Sequence, residues 1–317
     1  MTERLLSGGQ TPNDMRGASI CWIEHIVDMH DLQWSQDRHC LLLSLGSTLT
    51  ELAGSRLLYN AQGRVTQLYV PTNTPMDASK MALKIGCSVE AIELARDADF
   101  IDLHIDTLIP WRLWGYDIFR RNRSPFAGRF FGHLDVPRII DAGLSGAMWS
   151  ITTNILRGAG SRWRTFQRNV AAFQQMVEAS EGQLAFVRTR TEYEEAKQRG
   201  AHAVLLSIQG GNALEAAPDG PASVPDGLLT RVTLVHLTNS CFGSSSSPVH
   251  LFRRNKGLTD RGRQLVEQLN AERVFVDLAH IHPQGFWDAV EVHDKTQPLL
   301  VTHTGVDGVR PHWRNLD

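Results

Sequence analysis

The amino-acid sequence predicts an α/β protein built on a parallel sheet and arranged as a (β/α) barrel. Three observations predict it. From about residue 88 onward, short continuous apolar runs alternate with amphipathic helical stretches. Such runs suit strands buried on both faces, as in parallel sheets. Six strand candidates follow one another in this way, which favours a barrel over a doubly wound sheet, although periodicity by itself does not separate the two. Histidines and a carboxylate recur where these strands end.

Residues 1–85 show only short apolar runs, such as Cys40 to Leu43 and Leu57 to Tyr59, broken by Gly, Asn, Thr and Pro. They read as an N-terminal extension of no assignable structure, with residues 86–317 as the catalytic domain. Ser88 is placed to cap a helix whose face includes Ile92, Leu94 and Ala95. The strand candidates are Phe100–Asp106, Ala147–Ile151, Ala203–Ile208, Val232–Leu237, Val274–Leu278 and Leu299–Thr302. Between them, Phe166, Val170, Phe173 and Val177 make a helical stripe over Phe166–Ser180. Leu265, Val266 and Leu269 make another over Asp260–Ala271, with Thr259 as N-cap.

Composition narrows the function. With 32 Lys+Arg against 34 Asp+Glu the net charge is −2, so the basic footprint expected of a nucleic-acid binder is missing. A hydrophobic share of 42% excludes a disordered chain, and no apolar run approaches the roughly 18 residues of a membrane span. Cys21, Cys40, Cys87 and Cys241 are scattered, so neither a disulfide framework nor a thiolate zinc site is indicated. The polar start carries no signal-peptide core, which points to a cytoplasmic enzyme.

The strand ends carry the chemistry. His104 and Asp106 stand two apart, so both point to one side of their strand. Gln209 ends the third strand, and His236, His280 and His303 belong to the fourth, fifth and sixth. In a parallel barrel these ends converge on one rim. Histidine with carboxylate suits zinc or a similar divalent ion. A lone strand-end histidine is ordinarily a hydrogen-bonded core residue, but four of them with an in-phase aspartate are not explained that way. His133 and Asp135 share the spacing, yet Pro137 breaks any strand there, so they read as a structural or capping pair. His282, His293 and His312 lie off the strand ends and read as solvated.

These residues resemble the membrane (renal) dipeptidases of metallopeptidase family M19, particularly the bacterial members. The likeness runs from about residue 90 to the end through Asp102-Leu-His-Ile-Asp106, the run His133 to Ser150, Gln209-Gly-Gly-Asn-Ala-Leu-Glu215, Thr233-Leu-Val-His236, Gly257-Leu-Thr-Asp-Arg-Gly262, Asp277-Leu-Ala-His280, His303 and Arg314-Asn-Leu316. The resemblance implies a (β/α)8 TIM-type barrel hydrolase that uses zinc ions to cleave dipeptides, and a homodimer. By position it implies that His104 and Asp106 hold one ion and His280 and His303 another. His236 would face the substrate and steady the developing oxyanion, and Arg314 would bind the substrate's carboxylate.

Two departures qualify the implication. Gln209 stands where the family places a glutamate between two ions; without that charge the mutual repulsion of the ions is less offset, and a weakened or lost second ion is expected. Only 14 residues follow His303, whereas two further barrel units need about 80. The chain as written is therefore expected to lack the last two strands and the family's catalytic aspartate. The alternatives are a barrel amidohydrolase acting on another amide or lactone, and an inactive metal-binding relative.

Overall fold

The computed structural model describes residues 32–34, 41–43, 56–59, 65–69, 75–122, 133–248 and 257–315. The chain divides into two units, Met1–Thr72 and Asn73–Asp317. In the first, β1 (Leu32–Trp34) pairs antiparallel with β2 (Leu41–Leu43), and β3 (Arg56–Tyr59) with β4 (Val65–Tyr69). The rest of the extension up to residue 74 lies outside the described residues.

The second unit opens with α1 (Ala78–Ile85), which starts at Asp77 and stops at Gly86, whose φ of 75° is cheap only for glycine. Helix α2 (Val89–Asp97) is capped by Ser88, whose hydroxyl accepts from Ala91 N, as its sequence predicts. Its expected apolar face is a correction: Ile92 is buried, whereas Leu94 is 70% exposed and Ala95 is exposed. The helix is anchored by a polar contact as well, because Arg96 donates to Asp141 O at 2.9 Å.

Seven parallel strands follow: β5 (Ile101–Ile105), β6 (Gly146–Thr152), β7 (Leu184–Phe186), β8 (His202–Gln209), β9 (Leu229–Thr233), β10 (Phe275–Asp277) and β11 (Leu299–Leu300). The sheet runs β5-β6-β8-β9-β10-β11, and β7 pairs with the start of β8. Helices α3 (Leu108–Trp114), α4 (Val136–Ala142), α5 (Ala159–Glu178), α6 (Arg190–Gln198), α7 (Asp260–Ala271) and α8 (Pro283–Val292) fill the connections. The short β7 has no counterpart among the sequence candidates, and β9 stops at Thr233 instead of reaching Leu237.

The sheet is curled. Six flat strands about 4.8 Å apart would separate β5 and β11 by roughly 24 Å. The ring of His104 on β5 nevertheless stacks on that of His303, just past β11, at 3.8 Å. The architecture is therefore an open barrel, with β5 and β11 unpaired to one another among the described residues. That curl decides between barrel and doubly wound sheet.

Strand parity sorts the faces. Trp149, Ile151, Leu206, Ile208, Val232 and Val276 join the stripes of α5 (Phe166, Val170, Phe173) and α7 (Leu265, Val266, Leu269) in one apolar core. Each such side chain stabilises the fold by about 1.5–3 kcal/mol through burial. The opposite parity lines the barrel interior, and it is polar. Ser150, Ser207 and Arg231 stand in one cross-strand row, and Thr152, Gln209, Thr233 and Asp277 form the next row toward the carboxyl ends.

Candidate metal centre

The site sits above these two rows. Asp277 is its foundation: a fully buried carboxylate that accepts from Thr233 Oγ1 (2.7 Å), Thr302 Oγ1 (2.8 Å), Thr302 N (3.0 Å) and Ala279 N (3.1 Å). Burial pushes its carboxyl up, but Arg231 and these donors outweigh burial and hold it below its ordinary value. Arg231 Nη1 lies 3.3 Å from Asp277 Oδ2, and neither side chain is exposed.

His280 and His303 each follow their strand by three residues, at turns where the backbone is left-handed: φ is 65° at His280 and 40° at His303. Non-glycine residues rarely adopt this region, and such strain gathers at functional sites. The turns aim the two Nε2 atoms at each other, 3.0 Å apart. Thr302 sets the proton on His303. Its hydroxyl gives its hydrogen to Asp277, which can only accept, so its lone pairs take Arg231 Nη1 at 2.8 Å and the Nδ1–H of His303 at 2.9 Å. His303 Nε2 is therefore a bare lone pair. Arg314 Nη2, a donor, lies 3.2 Å from His280 Nε2, so that nitrogen also presents a lone pair.

Gln209 stands beside both. Its carbonyl accepts from Thr152 Oγ1 at 3.1 Å, and its amide nitrogen lies 3.5 Å from each of the two Nε2 atoms. The ring of His236 meets that of His280 edge-on at 4.6 Å. Across the mouth, His104 Nε2 lies 3.3 Å from Asp106 Oδ2. Both His104 Nε2 and Asp106 Oδ1 are buried without a hydrogen-bond partner.

Burial lowers the pKa of His236 to about 4 and that of His303 to about 3, and the charges of His104 and Arg314 add to the effect at each. Burial lowers His280 furthest, to about 2, with His236 and Arg314 adding to it. All three imidazoles are neutral at neutral pH, the form that gives a lone pair to a cation. Burial pushes the Asp106 carboxyl up, yet the adjacent His104, with His236 and His303 adding, holds it below its ordinary value.

The structure thus brings His104, Asp106, Gln209, His236, His280, His303 and Arg314 to one mouth. Among the described residues no three His, Cys, Asp or Glu side chains are disposed to hold a metal ion by themselves. What comes nearest to a donor set is the pair of facing lone pairs on His280 and His303; the Gln209 amide nitrogen beside them is a hydrogen-bond donor and offers no lone pair to a cation. Asp135 caps α4 by accepting from Arg138 N, as expected for that pair. His282 accepts from Gln284 N at the start of α8, and His312 is exposed. His293 corrects the sequence reading: it is buried, its Nε2 bonded to Gln297 O at 2.9 Å across a tight turn. Sequence reasoning missed Arg231 and Thr302 as site residues, and it gave Asp277 no role. Their signal was a charged residue inside a strand, two positions from a threonine on the same face.

Comparison with known proteins adds the following. A family model described as membrane dipeptidase, peptidase family M19, matches residues 89–317. Dipeptidase tcpJ of Claviceps purpurea is 24% identical over 202 residues, covering 58% of this chain and 44% of that protein. The crystal structure of dipeptidase AC, a metallopeptidase of family M19, superposes with a TM-score of 0.56 at 24% identity, covering 68% of this chain and 66% of that one. A metallopeptidase from Rhodobacter sphaeroides, liganded with a phosphinate mimic of the dipeptide L-Ala-D-Ala, gives 0.53 at 21%, covering 68% of each. The chain thus spans less than half of the fungal dipeptidase and about two thirds of the structures. At these identities the structures establish the fold.

Proposed function

This chain belongs to the membrane dipeptidase family, peptidase family M19, and on that premise we propose that it is a metal-dependent hydrolase cleaving the peptide bond of dipeptides. One observation carries the reading: two neutral imidazoles from different strand ends turn their Nε2 lone pairs toward each other, 3.0 Å apart. Lone pairs facing at that distance repel; the Arg314 and Gln209 N–H groups beside them offset this in part, and a shared divalent cation would do so more strongly. Imidazole nitrogen suits zinc or a similar ion, which His280 and His303 would hold. When bound, such an ion supplies Lewis acidity to the scissile carbonyl and a nucleophile from water near neutral pH.

The chain's own groups do the rest. Arg314, at the rim, offers a planar guanidinium to the terminal carboxylate of a dipeptide. His236, beside His280, faces the carbonyl and stabilises negative charge developing there. Asp106, with one oxygen free of partners, accepts a proton from the attacking water. The dipeptide mimic bound by the Rhodobacter relative supports this substrate class. We carry over a homodimer from the family likeness. No helix among the described residues is long and apolar enough to cross a membrane.

A second reading, a relative that binds a cation without turnover, is favoured by Gln209 and by the contact of Arg314 with His280 Nε2. The test is hydrolysis of a dipeptide panel, including D-configured second residues, against lactones, by the full chain with and without added zinc. Zinc-dependent dipeptide cleavage is expected. Lactone cleavage alone, or zinc binding with no hydrolysis, would overturn the proposal.

A further inference from the structure

Charge is unevenly matched around the mouth. Of the guanidiniums described so far, Arg231 faces Asp277 at 3.3 Å. Burial lowers the pKa of Arg314, and Asp106 and Asp277 offset this in part. The β6 side is different. Arg112, half-buried on α3, donates from Nη1 to Thr152 O at 2.8 Å. Thr152 is the last residue of β6, and its hydroxyl donates to Gln209. One residue thus carries Arg112 on its carbonyl and Gln209 on its hydroxyl, which puts the Arg112 guanidinium at the rim of the same mouth. A guanidinium has five N–H donors, and the bond to Thr152 commits one of them. Arg157, exposed in the loop after β6, reaches Ser161 Oγ at 3.5 Å. Among the described residues no carboxylate forms an ion pair with Arg112 or Arg157. Glu215, the carboxylate of the neighbouring loop, is held by Arg162 and Arg261. Burial lowers the Arg112 pKa, and the like charge of Arg157 lowers it further. Two like charges with no carboxylate to offset them repel, and an anionic group brought to them removes that repulsion.

We propose that Arg112, with Arg157 adding its charge, is a second anionic anchor, and that the preferred substrates are dipeptides whose N-terminal residue is Asp or Glu. The direction follows from the groups already assigned. Arg314 takes the terminal carboxylate and His236 faces the carbonyl, which leaves the N-terminal residue on the side of Gln209 and Thr152. Arg314 and Arg112 are linked across the mouth by His280, Gln209 and Thr152. Two extended residues span ~7 Å, and an acidic side chain extends that reach toward Arg112. The inference rests on the dipeptidase reading above and deepens it by naming the substrate class. Binding at this anchor, as distinct from cleavage, needs no ion.

Calorimetry on the full chain before zinc is added, with Glu-Ala and Gln-Ala as probes, tests it, because the two differ by one charge at nearly constant shape. Glu-Ala should bind at least ~10-fold tighter, the gain of a charge-assisted over a neutral hydrogen bond. With zinc present, the same preference should appear in kcat/KM. The ratio should fall below ~3 in Arg112→Gln, the range of a solvated charge, and take an intermediate value in Arg157→Gln. High salt should shrink it. If Arg112→Gln does not fold, the wild-type ratio and the exposed Arg157→Gln variant still decide. Moving the charge to the second residue, Ala-Glu against Ala-Gln, should give the smaller ratio; an equal or larger one overturns the placement. Equal binding of Glu-Ala and Gln-Ala, or a preference unchanged in both variants, overturns the inference. Dipeptide cleavage without a preference for Glu-Ala would sink this inference and spare the function. A charge preference in binding without any cleavage would do the opposite, and neither binding nor cleavage would sink both.

Discussion

The Arg231–Asp277 pair yields the most quantitative test of the interior. The charged atoms are 3.3 Å apart and neither side chain is exposed. At an effective dielectric of about 20, their attraction is ~5 kcal/mol. Asp277→Asn leaves the guanidinium buried without its counter-charge and should destabilise the chain by about 3–5 kcal/mol. Arg231→Met strands the carboxylate and should cost a similar amount. The double variant removes both charges, and its loss should fall short of the sum of the singles by at least ~2 kcal/mol. Urea denaturation of all four proteins, analysed with a common slope, measures this coupling. A coupling below ~1 kcal/mol, the range of solvated surface pairs, would refute the claim that the pair is dry and mutually dependent.

Three further outcomes follow from the same structure. His202 is buried with Nδ1 bonded to Leu144 O at 2.8 Å and Nε2 accepting from the Trp149 indole at 3.2 Å, and burial lowers its pKa to about 4. The unfolded chain takes up that proton below about 6.5 and the folded chain does not, so stability should be full above pH 6.5. It should fall by about 3 kcal/mol as the pH drops to 4; an unchanged pH profile in His202→Gln would contradict this. Thr302→Val removes the acceptor for the His303 proton and should weaken zinc binding by about 10–100-fold with little change in fold, measured by calorimetry. Gly262→Ala would set a Cβ 1.9 Å from Phe242 O at the start of α7, so thermal melts should show a loss of about 1–3 kcal/mol.

Much of this was legible in the sequence because it depends on neighbours in the chain. The order of strands and helices, the Ser88 and Thr259 caps and the shared side of His104 and Asp106 all follow from local spacing. What escaped depends on register. Ser150, Ser207 and Arg231 form a row only because β6, β8 and β9 align as they do, and no single strand reveals its partner's offset. An arginine inside Leu229–Thr233 breaks the apolar pattern without showing what it meets. Leu184–Phe186 is three residues long, too short for any period to emerge. His293 looked solvated because its burial comes from α8 and the turn closed by Gln297 folding over it.

The stacking of His104 on His303 joins the two outermost strands of a sheet whose edges share no backbone ladder among the described residues. Closure at the mouth is therefore a property of side chains, a clasp made of two rings. Breathing of the sheet at its free edges would slide those rings apart and misalign the facing nitrogens at the same moment. Whatever tightens that clasp, an ion or a bound peptide, would also quiet the edges, so occupancy and edge order should rise together.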